Sequence, residues 1–223
     1  MNHTELIESL KTAISKQSKN KNIYMVGVSW LDASGKSQIA QKIMESLKKD
    51  NISVLSFSGD SFQFPREYKE NFLEKSWAEQ HIKRTIDFIS LETNLLKPLI
   101  FQKPTISFDF LNYDTNEKTK KTISLKYPLT VIVESIYLFQ QSLVSYFDYK
   151  IFLKISKDES LRRAKLRKRD IELYWWEQGV ETKYVNKNFA GYELFEKREN
   201  PKQYADIIID NNDWKSPVII NNI

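Results

Sequence analysis

Residues 24–37 read YMVGVSWLDASGKS, and this stretch decides the fold. An apolar run gives way to small and polar residues, and Gly35-Lys36-Ser37 then opens a segment, 36–50, with Ile39, Ala40, Ile43, Met44 and Leu47 at helical spacing. Strand, tight turn and helix in that order are what a phosphate-holding loop requires. Backbone N–H groups and the helix N-terminus face the phosphate oxygens. Gly35 permits close backbone approach, Lys36 reaches the β- and γ-phosphates, and the Ser37 hydroxyl suits a magnesium ion. Asp32, Ala33 and Ser34 complete the nucleotide-holding turn. Trp30 stands where GxxxxGK[ST] has its first glycine, so a strict motif search passes over this loop. A tryptophan fits there if its backbone angles are ordinary and its indole has room, and its ring is then free to pack over the nucleotide or acceptor. The plainer alternative is that Gly-Lys-Ser only caps a helix.

Working outward, the pattern is one of alternation. Residues 5–17 read as an amphipathic helix with Leu6, Ile7, Leu10 and Ile14 on one stripe, and Asn22 to Val28 and Ile52 to Phe57 as strands either side of the 36–50 helix. That βαβ order implies a parallel sheet with right-handed crossovers. A helix is expected over 76–97 with Pro98 beyond its end, and a β-hairpin over 104–127. Near-continuous apolar runs at Leu129 to Val133 and Lys150 to Ile155 suit strands covered on both faces. A basic helix over 158–170, partial helix over 171–190, a short helix over 191–199 and a last strand at Ala205 to Ile209 complete the reading. The tail after Asp210 carries no assignment. The expectation is one domain spanning 1–223.

Composition sets the outer limits. The 223 residues are 41% hydrophobic and 28% charged, which suits a globular core without metal or disulfide support. No cysteine is present, so thiol nucleophiles and cysteine-held metals are excluded. The net charge of +5 suits an anionic ligand as well as nucleic acid. There is no secretory leader pattern and no run of about 18 apolar residues, so no membrane span and a cytoplasmic location are expected.

The loop GVSWLDASGKS resembles the uridine kinase and phosphoribulokinase-like group of P-loop small-molecule kinases, whose loops read like GxSGxxASGKT. The resemblance runs from about residue 22 to residue 211. It implies a three-layer α/β fold with a mostly parallel sheet, a small hairpin insertion and an arginine-rich lid, with ATP and Mg2+ as cofactors.

Asp60 follows the second strand in SGDSF, beyond the carboxyl end of a parallel strand where ligand-facing groups lie. By resemblance to a DSF- or DDF-like segment it is the catalytic base; a turn-forming Asp is the rival reading. Arg66 in FPREY is an acceptor or phosphate contact, or a solvated loop arginine. Glu134 ends the strand LTVIVES and resembles the acid of VIxEGxxxF, with Ser135 in place of glycine, which implies a magnesium ligand; a helix-end acid is the alternative. After Pro104, Asp109-Phe110 is the nearest match to a YDF-like acceptor segment, with Phe108 replacing its tyrosine, though these aromatics also suit simple packing of the hairpin. His81 reads as a packing or surface residue.

The segment SLRRAKLRKRD matches a lid-like RLxRRxxRD incompletely, keeping Arg169-Asp170. Arg163, Arg167 and Arg169 are the expected site-facing subset of a lid over 162–178, able to bridge phosphates; a solvated basic helix is the rival. The reading is an ATP-dependent kinase for a small-molecule hydroxyl, with a nucleoside such as uridine or cytidine as first acceptor. The alternatives are a nucleoside monophosphate kinase using Lys69 or Arg84, a nucleotide-binding regulatory protein, and, more remotely, a nucleic-acid-end kinase. Homo-oligomerisation is left open.

Overall fold

The computed structural model describes residues 1–71, 74–112, 115–168, 171–172 and 176–220. Its elements are α1 (His3–Ser18), β1 (Ile23–Ser29), α2 (Lys36–Lys49), β2 (Val54–Ser58), α3 (Arg66–Glu70), α4 (Trp77–Arg84), α5 (Phe88–Leu91) and α6 (Lys97–Ile100). These are followed by β3 (Thr105–Asn112), β4 (Glu117–Ser124), β5 (Leu129–Ser135), β6 (Tyr149–Lys154), α7 (Lys157–Lys165), α8 (Glu177–Lys183), α9 (Ala190–Glu199), β7 (Ile207–Asp210) and β8 (Val218–Ile220).

Six strands form one sheet in the order β2-β5-β1-β6-β7-β8, parallel except for β8. Alternation along β1 sends Tyr24, Val26 and Val28 to one face and Met25 to the other. The first face is covered by Leu6, Leu10 and Ile14 of α1 and Ile39, Ile43 and Leu47 of α2. The second carries Leu91, Leu95, Leu96 and Leu99 together with Tyr192 and Phe195 of α9. The result is a three-layer α/β fold, as expected. Asn2 caps α1 reciprocally with Glu5, at 2.9 Å each way.

Two departures have local causes. The helix expected over 76–97 breaks at Thr85–Asp87. There Phe64 N donates to Thr85 O and Asp87 N to Phe62 O, pairing this stretch with the chain just after β2. Asp87 then starts a new helix by accepting from Ser90 N at 2.9 Å. Pro98 lies inside that new helix, which runs on to Ile100. A π turn over Glu92–Leu96 leaves the proline in the first turn of α6, where its missing N–H is not needed. The hairpin β3–β4 forms as expected, in the register Ile106↔Ile123.

Candidate active site

The loop between β1 and α2 takes three left-handed residues, Trp30 (φ 137), Ala33 (φ 57) and Gly35 (φ 95). Trp30 therefore does not have ordinary angles; such a conformation costs about 1–3 kcal/mol. Its ring is buried, 4.6 Å from the Phe152 ring and 6.2 Å from that of Tyr192, with Lys202 Nζ 5.9 Å above it. The indole packs into the core behind the loop and does not line the cavity in front of it. Its burial holds the strained backbone in place. At Gly35 a side chain would press on Asn211, whose Nδ2 donates to Ser34 O at 2.8 Å. Asn211 is a strut under the loop.

Asp32 is held from behind. Tyr192 Oη donates to its Oδ2 at 2.7 Å and accepts from its backbone N at 3.1 Å. Asn188 Nδ2 adds a donor at 2.9 Å, and Ser160 Oγ donates to the Asp32 carbonyl at 2.8 Å. Burial works against this carboxylate, but Lys36 and the Tyr192 hydrogen bond outweigh it and hold its pKa below the usual range. The loop's shape is thereby tied to α7 and α9. His81 is buried beside this network, its Nδ1 2.5 Å from Tyr137 Oη, and burial pulls its pKa down to about 3. It is a packing residue.

In front of the loop the reactive groups meet. The parallel register aligns Val28 of β1 and Ser58 of β2 with Glu134 of β5, so three strand ends open on one place. Ser37 Oγ donates to Glu134 Oε1 at 3.0 Å. Glu134 is buried, and burial together with the charge of Asp60 raises its pKa. Lys36 Nζ donates to Leu31 O at 2.7 Å; burial lowers its pKa against the pull of Asp32, Glu134 and Asp60. Asp60 sits on a 3₁₀ turn (Gly59–Phe62) capped by Ser58, with Oδ1 accepting from Gln63 Nε2 at 2.8 Å. Gly59 is required there, since a Cβ would collide with Ser135, the residue that replaces the expected glycine. One hydroxyl and one carboxylate, Ser37 and Glu134, are neighbouring hard-oxygen donors, and among the described residues no group of three His, Cys, Asp or Glu side chains forms a closed cage. A donor set of that size fits magnesium, which completes its coordination with phosphate oxygens and water.

A cavity of about 730 Å³ lies over this cluster. Arg163 of α7 and Arg167, just past the end of that helix at Lys165, both line it. Arg163 is anchored to Glu159 at 2.7 Å, to Asn212 O at 3.0 Å and to Asn211 O. The charge of Arg167 acts on Lys36. Arg169 lies outside the described residues. Trp214, 47% exposed, lines the cavity with Leu166, 71% exposed. Sequence reasoning missed Trp214; the available signal was an isolated Trp in a polar stretch just past the last parallel strand.

On the opposite side of Asp60, Arg66 N donates to Asn116 Oδ1 at 2.9 Å, joining α3 to the hairpin. Phe108 stacks on Phe62 at 4.8 Å. Phe110 lies under Lys121 Nζ at 3.5 Å. Asp109 is exposed, because β alternation turns it away from Phe108. The structure thus brings Lys36, Ser37, Asp60, Glu134, Arg163 and Arg167 together and leaves Asp109 on the outer face.

No family model matches the chain. Uridine-cytidine kinase 2-B of Danio rerio is 30% identical over 198 residues, covering 83% of this chain and 72% of that protein. The chain belongs to the uridine-cytidine kinase family. Uridine-cytidine kinase B of Dictyostelium discoideum is 28% identical over 200 residues, 86% of this chain and 76% of that one. In fold, the chain matches the structure of a possible uridine kinase from Bacillus stearothermophilus with a TM-score of 0.68 and 17% identity, over 90% of this chain and 98% of that one. Membership makes the chain an ATP-dependent small-molecule kinase. Among the described residues no helix is long and apolar enough to cross a membrane.

Proposed function

We propose that this family member transfers the γ-phosphoryl group of ATP to a hydroxyl of a nucleoside-type acceptor, in the first instance uridine or cytidine, to which its relatives' names point. The observation that carries the reading is the Ser37–Glu134 hydrogen bond beside Asp60 and Lys36 on one cavity. The loop amides and Lys36 hold the phosphates, Lys36 exchanging Leu31 O for phosphate oxygens. Ser37 and Glu134 are the residues that would hold Mg2+, which would supply neutralising charge to the transferring phosphate. Asp60, with Oδ1 fixed by Gln63, takes the acceptor proton as the new O–P bond forms and the bond to ADP breaks. Arg163 and Arg167 close the cavity over the phosphates and exclude water.

Trp30, the residue that departs from the loop's usual glycine, keeps its indole behind the loop and leaves the cavity open for phosphates. Asp60→Asn tests the base: ATP affinity is expected within about twofold of wild type while kcat falls about 10²- to 10⁴-fold. Near-wild-type turnover in that variant rejects the assignment.

A further inference from the structure

Arg163 lines the cavity, yet its guanidinium is committed to the protein through Nε and Nη2. Nε donates to Glu159 Oε1 at 2.7 Å, and Nη2 donates to the carbonyls of Asn212, at 3.0 Å, and of Asn211. Only 14% of the side chain is exposed. A planar fork pinned at those two nitrogens has its orientation fixed. Both carbonyls it holds belong to the chain leaving β7.

That exit is tied on other sides as well. Asn212 Oδ1 accepts at 2.8 Å from the backbone N of Ser156, the cap of α7, and Asn212 Nδ2 donates to Asp210 Oδ1 at 2.7 Å. Asn211 Nδ2 reaches the other way, to Ser34 O of the phosphate loop. The chain then turns at Asp213, whose Oδ1 accepts from Lys215 N at 3.0 Å and whose carbonyl accepts from Ser216 N at 3.1 Å. Trp214 lies inside this turn, two residues beyond the second carbonyl that Arg163 grips, and its side chain lines the cavity. On the α7 side, Leu166 N donates to Arg163 O at 3.2 Å, and the Leu166 side chain lines the same cavity. Two exposed apolar groups, on two segments that Arg163 joins, thus face one cavity. An aromatic face presented in this way suits a flat base.

We infer that Arg163 is a positioning residue for the nucleoside end of ATP: it clamps the exit of β7 to α7 and so holds Trp214 where the base stacks, rather than binding phosphate itself. This rests on the phosphotransfer reading and divides the work of its two arginines. Arg163 closes the cavity through the wall it holds, and Arg167, whose charge acts on Lys36, closes it toward the phosphates.

The test compares a ligand that has a base with one that has none. The chain is titrated calorimetrically with magnesium and a non-hydrolysable ATP analogue, and separately with magnesium and inorganic triphosphate. Arg163→Gln is expected to bind the ATP analogue about tenfold more weakly and triphosphate within about twofold of wild type. Arg163→Lys keeps the charge but cannot span both carbonyls, and the same split is expected from it. Trp214→Ala should weaken the analogue by a similar factor. The double variant Arg163→Gln/Trp214→Ala should be weaker than Trp214→Ala by no more than about twofold, because both changes remove one interaction. Retained triphosphate binding shows in each case that the phosphate loop is folded. Equal loss of both ligands in Arg163→Gln would make Arg163 a phosphate contact, and losses that multiply in the double variant would make it independent of Trp214. Either result overturns the inference, as does unchanged affinity for the analogue in Arg163→Gln. Because binding alone is read, an overturned inference leaves phosphotransfer intact, whereas a wild-type chain that binds neither ligand rejects both.

Discussion

The Ser37 hydroxyl donates to Glu134 Oε1 across 3.0 Å, joining the first turn of α2 to the end of β5. Residues 97 positions apart in the chain meet because β1 and β5 pair in register from Ile23↔Leu129 to Ser29↔Ser135. The contact holds a hydroxyl and a carboxylate ready as neighbouring hard-oxygen donors. Glu134→Gln keeps the shape and removes the charge. It is expected to lower kcat about 100-fold and to raise the magnesium concentration for half-maximal rate, both read from a magnesium titration of initial rates. An unchanged magnesium dependence would take Glu134 out of the proposed ligand set.

Trp30→Gly restores the residue usual at this loop position. It releases about 1–3 kcal/mol of backbone strain but removes an aromatic side chain from the core, a loss of about 3–5 kcal/mol. The expected net effect is a destabilisation of about 2 kcal/mol in urea unfolding, with ATP affinity within about threefold of wild type. A large loss of ATP affinity with unchanged stability would mean that the indole serves the nucleotide rather than the core.

Much of the fold was readable because it rests on local periodicity. The 36–50 helix, the apolar strands and the hairpin each carry their own pattern, and the strand–loop–helix order identified the phosphate loop despite Trp30. What was not readable depended on contacts between distant segments. The break at Thr85–Asp87 arises from pairing with Phe62 and Phe64, which helical periodicity cannot register. Asp32 lines the cavity, and its carboxylate is held from behind by Tyr192 and Asn188, more than 150 positions away, which no local pattern registers. Asp109 matched a motif position, but the pleat of β3 turns it outward.

Trp214 is an exposed aromatic on the rim of the cavity, facing a site meant for a nucleotide. Trp214→Ala is expected to raise the KM for ATP about tenfold, since base–aromatic stacking contributes about 1–3 kcal/mol. The KM for the acceptor should stay unchanged. Steady-state kinetics with each substrate varied separately checks this, and an unchanged ATP KM would place the base elsewhere.

Lys69 makes stability depend on pH. Its pKa is lowered to about 8 in the fold, against about 10.4 in an unfolded chain. Between those values the unfolded state binds more protons at this site, so its contribution to stability rises with pH across that window. Unfolding free energy should therefore rise with pH between about 8 and 10.4 more steeply in the wild type than in Lys69→Gln, read from urea unfolding at each pH. The same pH dependence in both proteins would contradict the assignment.

The most direct test of the account is mass-spectrometric detection of phosphate transfer from ATP and magnesium to a pooled set of nucleosides, nucleoside monophosphates, sugar phosphates and hydroxy acids. A product heavier by one phosphoryl group is expected, formed by the wild-type chain and absent with Lys36→Ala. ATP binding with no phosphorylated product from any member of the set would contradict it.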